Sequence, residues 1–472
     1  MHLPAPHAAF PGALWPAVPQ TPSAALLAVI EQLSRSQYLS EDELAACRRP
    51  QVEALIDHAA EAVPFWRERL SAAGLDAESR RRVPPDAAEW NRRWAALPIL
   101  KRADVQSLGT ALHARHLPAG HGGVGESVTS GSSGRPVRII RSTLDYFYWQ
   151  AFQLREHIWR GRDLSACFLS ILRDEKRTTL DDSVHLQRNH DWGAPVATVW
   201  PTGPSYLLDY RAPISALIQT LRDVAPDYVC TFPSLLLEIL RRVRQERISL
   251  PRLKEAVVVG EASPPELAAL CREVWGAPLS STYTAGEVGA IAYQCLEEGR
   301  MHVQSENAIV EVLDAAGRPC EAGETGAVVL TPLHNFAMPL LRYEIGDLAI
   351  VGGGRCGCGR LLPILDAVPG RARDLLLLPS GDLRPPYYGH RAVMQVSAIL
   401  QHQVVQTAPD QICFRLVVAR PLTPAEEQHV IAVATEALGG SLRVSIDYVA
   451  EITRGPNGKF AEFERLFSSS GD

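Results

Sequence analysis

The sequence predicts an α/β protein. A large, multi-layered N-terminal α/β domain with a β-rich subdomain is followed by a small, mobile α+β C-terminal domain. Four observations lead there. A chain of 472 residues exceeds what one hydrophobic core ordinarily organises, so two or three domains are expected. The middle of the chain alternates short, continuously apolar, β-branched runs with helical segments, as parallel strands joined by crossovers do. From Ile309 onward this gives way to alternating strands separated by Gly-rich turns. After Gly370 a strand–helix–strand series follows.

In chain order, residues 1–38 read as a loosely structured arm with one short helix. Ser40 and Glu43 have the spacing of a capping box, so a helix starts at Ser40. Leu44, Cys47, Val52, Leu55, Ile56 and Ala59 continue it at near-helical spacing until Pro64. Residues 227–232 and 256–260 read as buried parallel strands, with a helix over 234–246 between them. IVEVLD, beginning at Ile309, and the later TGAVVLTPL are the alternating strands. A strand is predicted over 412–418 and another over 442–449. Between them lies a helix capped by Thr423, with Pro424 first and Glu426 completing the box. The expected divisions are an arm at 1–38, a large domain at 39–370 and a small domain at 371–472.

Composition excludes several classes. Hydrophobic residues at 46% and charged residues at 21% are ordinary for a soluble globular protein. The net charge of -6, with no long run of either sign, gives no basis for nucleic-acid or membrane-surface binding. No apolar run reaches the roughly 20 residues that span a bilayer. The N-terminus has no Lys or Arg before its apolar residues and is broken by prolines, unlike a secretory signal. Nine cysteines, an odd number spread thinly, argue against a disulfide framework. A reduced, cytoplasmic protein is expected.

The segment VTSGSSGRP, residues 128–136, is open to two readings. Runs of Ser and Gly commonly form flexible linkers. They also supply the clustered N–H groups, small side chains and hydroxyls that hold phosphate. A Walker loop is excluded, because no Gly-Lys-Ser/Thr closes the segment. The dinucleotide fingerprint is absent as well.

Five stretches in order resemble the motifs of the adenylate-forming enzymes, which include acyl-CoA synthetases, peptide-synthetase adenylation domains and luciferases. The loop resembles their T-S/T-G-T/S-T/S-G-x-P signature. Tyr283-Thr284-Ala285-Gly286-Glu287 is similar to Y-G-x-T/S-E, and Leu341-Arg342-Tyr343-Glu344-Ile345-Gly346-Asp347 to Y/R-x-x-G-D. Gly370-Arg371-Ala372-Arg373-Asp374 resembles the G-R-x-D/K-D crossover. Arg454-Gly455-Pro456-Asn457-Gly458-Lys459-Phe460 resembles the terminal element with its lysine. The resemblance implies ATP-dependent activation of a carboxylic acid through an acyl-adenylate, then acyl transfer to a thiol, coenzyme A first. On that reading Thr129, Ser130, Gly131, Ser132, Ser133 and Gly134 hold the β and γ phosphates. Glu287 holds Mg²⁺, Tyr283 stacks on adenine, and Asp347 with Arg371 binds the ribose. Gly260, Glu261, Ala262 and Thr284 complete the nucleotide site. Lys459 arrives from the small domain, which turns about Arg373, to stabilise the transition state. The chain departs from the pattern at Gly286, where a hydroxyl residue is usual. Its absence either slows adenylation or is compensated by Thr284.

Cys295 and His302 stand seven residues apart, and Cys356-Gly357-Cys358 adds two thiols on a Gly-rich turn. Cys₃His is a tetrahedral zinc set, placed in the segment 293–360. A Cys and His just after the Tyr–Glu motif, paired with a later C-x-C-G-R, resemble the phenylacetate–CoA ligase and CapK-like branch. With four protein ligands the zinc is structural. Tyr146, Tyr148 and Trp149, facing the 260–262 turn, suggest an aryl or arylacetic acid. Two rival readings remain: transfer to an amine or a carrier protein, and a nucleotide-binding homologue without chemistry. The expected partners are a small carboxylic acid, ATP and coenzyme A, with a homodimer as the candidate assembly.

Overall fold

The computed structural model describes residues 3–129, 137–174, 185–250, 252–264, 266–371, 375–381, 383–384, 386, 388, 393, 396, 398–438, 442–452 and 463–467. It falls into two compact units. One comprises Met1–Ile345 and Ala349–Val368, the other Gly346–Leu348 and Pro369–Asp472.

The first unit opens with five helices: α1 (Thr21–Ser36), α2 (Glu41–Ala62), α3 (Pro64–Ala72), α4 (Ala77–Arg82) and α5 (Ala87–Ala96). The arm is more ordered than its sequence suggests. Its α1 has 16 residues, and Leu26 joins a core with Ala151, Leu154, Val196 and Val199. Ser40 caps α2 with both halves of the capping box in place. Pro64 starts α3 at once, because a first-turn proline gives up no helical hydrogen bond.

The chain then runs β1 (Leu100–Lys101), α6 (Arg102–Leu108), β2 (Val124–Thr129), β3 (Val137–Ser142), α7 (Thr143–Arg160), β4 (Phe168–Leu172) and β5 (Leu186–Asn189). Next come α8 (Val196–Val199), β6 (Ser205–Asp209), α9 (Ile214–Val224), β7 (Tyr228–Thr231), α10 (Pro233–Glu246), β8 (Glu255–Val258) and α11 (Leu267–Trp275). The antiparallel series follows: β9 (Leu279–Ala285), β10 (Gly289–Gln294), β11 (Met301–Val303), β12 (Ala308–Leu313), β13 (Thr325–Pro332), β14 (Tyr343–Val351) and β15 (Ile364–Arg371).

Thirteen strands form one sheet, in the order β12-β13-β14-β15-β11-β10-β9-β8-β7-β4-β6-β5 with β1 paired to β14. The α/β part and the β-rich part are therefore continuous. Strands β9, β8, β7, β4 and β6 pair in parallel. Apolar cover for them comes from α9, α10 and α11, through residues such as Leu217, Leu236, Leu240 and Leu267. From β9 outward the pairing turns antiparallel, and that half packs on Leu55, Ile56, Trp66 and Trp94 of the N-terminal helices. Strand β9 is where pairing changes sense. Crevices beyond the carboxyl ends of parallel strands, where the topology changes, are where open α/β sheets bind ligands.

The second unit holds a short pair, β16 (Leu376–Leu377) and β17 (Leu383–Arg384), and then β18 (Ile399–Ala408), β19 (Gln411–Val418), β20 (Arg443–Tyr448) and β21 (Phe463–Arg465). The last four form a sheet in the order β20-β19-β18-β21. The helix Pro424–Ala437 is capped by Thr423 through a complete capping box. It packs Val430 and Ala434 against Phe414 and Leu416 of the sheet. No helix among the described residues is long and apolar enough to cross a membrane.

Candidate active site

Glu287 sits in the turn that reverses β9 into β10, closed by a hydrogen bond from the Val288 amide to the Ala285 carbonyl at 3.1 Å. It is only 4% exposed. A buried carboxylate must be compensated, and Arg102 does so, its Nη1 donating to Glu287 Oε1 at 3.0 Å. The Tyr343 hydroxyl donates to the same oxygen at 3.5 Å. Both partners arrive through one pairing. The two-residue β1 lies parallel to β14, matching Leu100 to Tyr343 and Lys101 to Glu344, so Arg102, the next residue, reaches the turn. Both contacts fall on Oε1. Arg102 carries no motif that marks it in the sequence. It is a member of the candidate site that sequence reasoning missed.

Around this carboxylate, Tyr283 is half-buried on β9, while Thr284 and Gly286 are exposed. At the end of the neighbouring β8, Gly260 takes a positive φ of 81°. Glu261 Oε2 accepts a hydrogen bond from the Ser234 amide at 3.1 Å, at the start of α10, where a carboxylate complements the helix dipole. Gly260 and Ala262 are exposed. The two motifs therefore lie at the carboxyl ends of adjacent parallel strands.

The three α7 aromatics expected at the substrate pocket, Tyr146, Tyr148 and Trp149, do not share one pocket. Trp149 lies against Gly289: a Cβ there would meet its Cδ1 at 3.2 Å. That places its indole beside the Glu287 turn. Tyr146 is 48% exposed and packs edge-on to Trp149. Tyr148 points elsewhere, stacked on His334 at 3.6 Å. Adjacent helical positions are about 100° apart, so neighbours face different walls.

Arg342 of the LRYEIGD motif is structural. It adopts a φ of 49°, which a non-Gly residue holds only when its surroundings over-determine it. Its guanidinium donates to the Ala95 and Leu97 carbonyls and pairs with Glu311 at 2.9 Å. Asp347 lies half-buried on β14, in the short stretch grouped with the second unit. Thr129 ends β2 and Arg371 ends β15. Ser130, Gly131, Ser132, Ser133, Gly134, Arg373 and Lys459 lie outside the described residues.

A second cluster forms elsewhere in the first unit. The β10–β11 hairpin matches Tyr293 to His302, which brings Cys295, just past β10, to the same end. β15 pairs with β11 on the other side, matching His302 to Ile364, and the turn before β15 carries Cys356 and Cys358. The ligand atoms of Cys295, His302, Cys356 and Cys358 all lie within 4.8 Å of one another. Cys356 Sγ is 3.6 Å from Cys295 Sγ, and Cys358 Sγ is 3.3 Å from His302 Nε2. Glu298 accepts from the Gly357 amide and holds the turn closed. The four residues predicted as a set thus converge.

Comparison with known proteins agrees with this picture. Residues 388–463 match the CapK C-terminal domain. The phenylacetate–coenzyme A ligase of Thermus thermophilus is 23% identical over 74% of this chain and 74% of its own. That of Aromatoleum evansii is 24% identical over 78% of each. Among solved structures, 2-hydroxyisobutyryl-CoA ligase in its postadenylation state with 2-HIB-AMP superposes with a TM-score of 0.70 at 19% identity. The match covers 92% of this chain and 91% of that one. An anthranilate CoA ligase in complex with anthranoyl-AMP gives 0.53 at 18% identity, over 74% and 68%. The chain is thus similar to phenylacetate–coenzyme A ligases over 74–78% of its length, matches the CapK C-terminal domain at residues 388–463 and shares the fold of solved CoA ligases.

Proposed function

We propose that the protein is an ATP-dependent acid–thiol ligase that converts a carboxylic acid to an acyl-adenylate and passes the acyl group to coenzyme A. The observation that carries this reading is the buried Glu287, fixed by Arg102 at 3.0 Å where the parallel strands end. The relatives, named as CoA ligases, support it. In the first half-reaction the substrate carboxylate oxygen attacks the α-phosphorus of ATP and pyrophosphate leaves. In the second, the thiol attacks the acyl carbon and AMP leaves. Charge accumulates on the phosphates, so fixed countercharges dominate the rate. Glu287 Oε2 would hold magnesium, a hard cation that takes carboxylate oxygen and offsets that charge. Trp149 beside the Glu287 turn favours an aryl or arylacetic acid, its indole offering a flat apolar wall. Residues 129–134 would hold the phosphates, and Lys459 the reacting carboxylate.

Exchange of labelled pyrophosphate into ATP, run against a panel of carboxylic acids, tests this. We expect acid-dependent exchange, a thioester product with coenzyme A, and loss of exchange in Lys459→Ala. Exchange at the parent rate in that variant would remove the assigned role of the lysine, and no exchange with any acid would remove the reading itself.

We further propose that Cys295, His302, Cys356 and Cys358 hold a structural zinc ion. Tetrahedral zinc with bonds of about 2.3 Å places neighbouring sulfurs roughly 3.8 Å apart. The Cys356–Cys295 sulfur separation of 3.6 Å is close to that spacing. The Cys358 Sγ–His302 Nε2 distance of 3.3 Å is near the roughly 3.5 Å of a zinc-bound sulfur and nitrogen. Four protein ligands leave no position open for catalysis. Protein purified without added metal is expected to carry about one zinc per chain, as a closed structural site does. Cys356→Ser should lose the metal and melt at lower temperature. Substoichiometric zinc that Cys356→Ser leaves unchanged would reject the site.

A further inference from the structure

One feature that the proposed chemistry does not use is a cavity of about 460 Å³ between α2 and the start of α7. That volume is within the range of roughly 300–1,000 Å³ usual for small-molecule sites. It shares no residue with the Glu287 turn, the 260–262 turn or the Cys/His cluster.

Its two walls differ in chemistry. One is a single face of α2, presenting Gln51, Ala54, Asp57, His58 and Glu61 at three- and four-residue spacing. The hydrogen bonds already made there decide what remains. Gln51 Nε2 donates to the Leu333 carbonyl at 2.8 Å, so its carbonyl oxygen is left as an acceptor. His58 Nε2 lies 3.0 Å from the Phe336 carbonyl. A carbonyl only accepts, so Nε2 carries the proton and Nδ1 is the acceptor. Asp57 is taken by Arg80, which donates to both its oxygens at 2.7 and 2.8 Å. Glu61 is the cavity's other carboxylate, 74% exposed at the rim, with His116 3.7 Å away and no arginine or lysine paired to it among the described residues.

The other wall is aromatic. Tyr148 stacks on His334 with planes 14° apart, and Phe336 packs against His121 at 4.6 Å. Burial holds the His334 imidazole down at about 3 and lowers His58 and His121 as well, so these rings face the cavity uncharged. No lysine or arginine lines it among the described residues. Phosphates and carboxylates would meet a carboxylate and aromatic faces with no positive partner. A cation meets attraction from both.

We propose that this cavity binds a small aromatic amine, its ring against the Tyr148–His334 and Phe336 wall and its ammonium turned to Glu61 and the acceptors of α2. The ligand class is the charge opposite of the carboxylic acid assigned to the catalytic site, so the two sites do not compete.

Isothermal titration of the full-length protein with phenethylamine, and separately with phenylacetate, tests this. Phenethylamine is expected to bind one site. Glu61→Gln should weaken it by about two- to fivefold, the scale for one solvent-exposed ion pair. Ala54→Phe, at an exposed position on the rim, should fill the cavity and abolish binding. Pyrophosphate exchange should be unchanged in both variants. The proposal is overturned if phenethylamine does not bind, if its affinity is the same in both variants, or if phenylacetate displaces it.

Discussion

Glu287→Gln is expected to lower acid-dependent pyrophosphate exchange by about 100-fold or more, the scale for removing one fixed group that stabilises transition-state charge. The substitution keeps the shape and the hydrogen-bond acceptor that meets Arg102, but it removes the negative charge. Two effects are thereby separated. If Glu287 acted only by anchoring Arg102, glutamine would preserve most of the rate. If it holds magnesium, the variant needs more of the metal, and raising magnesium restores part of the exchange. Stability should change less than when a fully buried pair is broken, because the Arg102 side chain is 19% exposed and water can solvate the guanidinium. Exchange at the parent rate with the parent magnesium dependence would contradict the assignment. Denaturation of the same variant shows whether any loss is simply unfolding.

What was legible in the sequence was local. The capping boxes at Ser40 and Thr423 were readable because each is written within four residues. The apolar runs that became β7 and β8 were readable because both faces of a parallel strand are buried. The Cys/His set was readable from its ligand types, although its convergence depends on β11 pairing with both β10 and β15. Arg102 was hidden for the opposite reason. It meets Glu287 across 185 residues through a two-residue strand, and nothing in its neighbourhood announces that pairing. The α7 aromatics show a further limit. Composition put three rings together, but helix phase sends Trp149 to the Glu287 turn and Tyr148 to the cavity beside α2. The continuity of the sheet through β9 was likewise unreadable, since a hairpin looks the same whether or not its first strand also has a parallel partner.

Arg162→Met is expected to destabilise the first unit by about 3–5 kcal/mol, the cost of leaving a buried carboxylate without its partner. Arg162 is bidentate to Glu156, at 2.6 and 2.8 Å, and also donates to Glu255 at 2.8 Å. The Arg162 side chain is 2% exposed and the two carboxylates 10% and 6%. Arg160 supplies the second positive charge, 3.4 Å from Glu156, so two acids face two bases. Burial alone would raise the Glu156 carboxyl, yet Arg162, His157 and Arg160 hold it down at about 2. A carboxyl depressed from its ordinary 4.5 contributes stability that is complete above that value and is lost as pH falls towards 2. Burial and Arg162 lower His157 to about 4 from 6.5, so protonation of the unfolded chain begins to weaken the fold below pH 6.5. Both groups therefore make acid the weak side of the stability profile. Removing Arg162 should flatten the Glu156 contribution, because its carboxyl then returns towards ordinary values. Arg242→Met, which breaks an exposed pair whose side chains are 55% and 43% accessible, is expected to change stability by less than about 0.5 kcal/mol. Urea denaturation of the three proteins from about pH 2 to 8 covers both windows, and a loss in Arg162→Met no larger than in Arg242→Met would refute the assignment. The network also has a positional consequence. Glu255 begins β8, Ser280 of β9 donates to Glu255, and Glu156 and Arg160 lie on α7. The same charges thus join the strand that ends at the 260–262 turn, the strand that carries Tyr283 and the helix that aims Trp149. Arg162→Met should accordingly lower exchange at temperatures where the protein is still folded, because the walls of the site lose their common anchor.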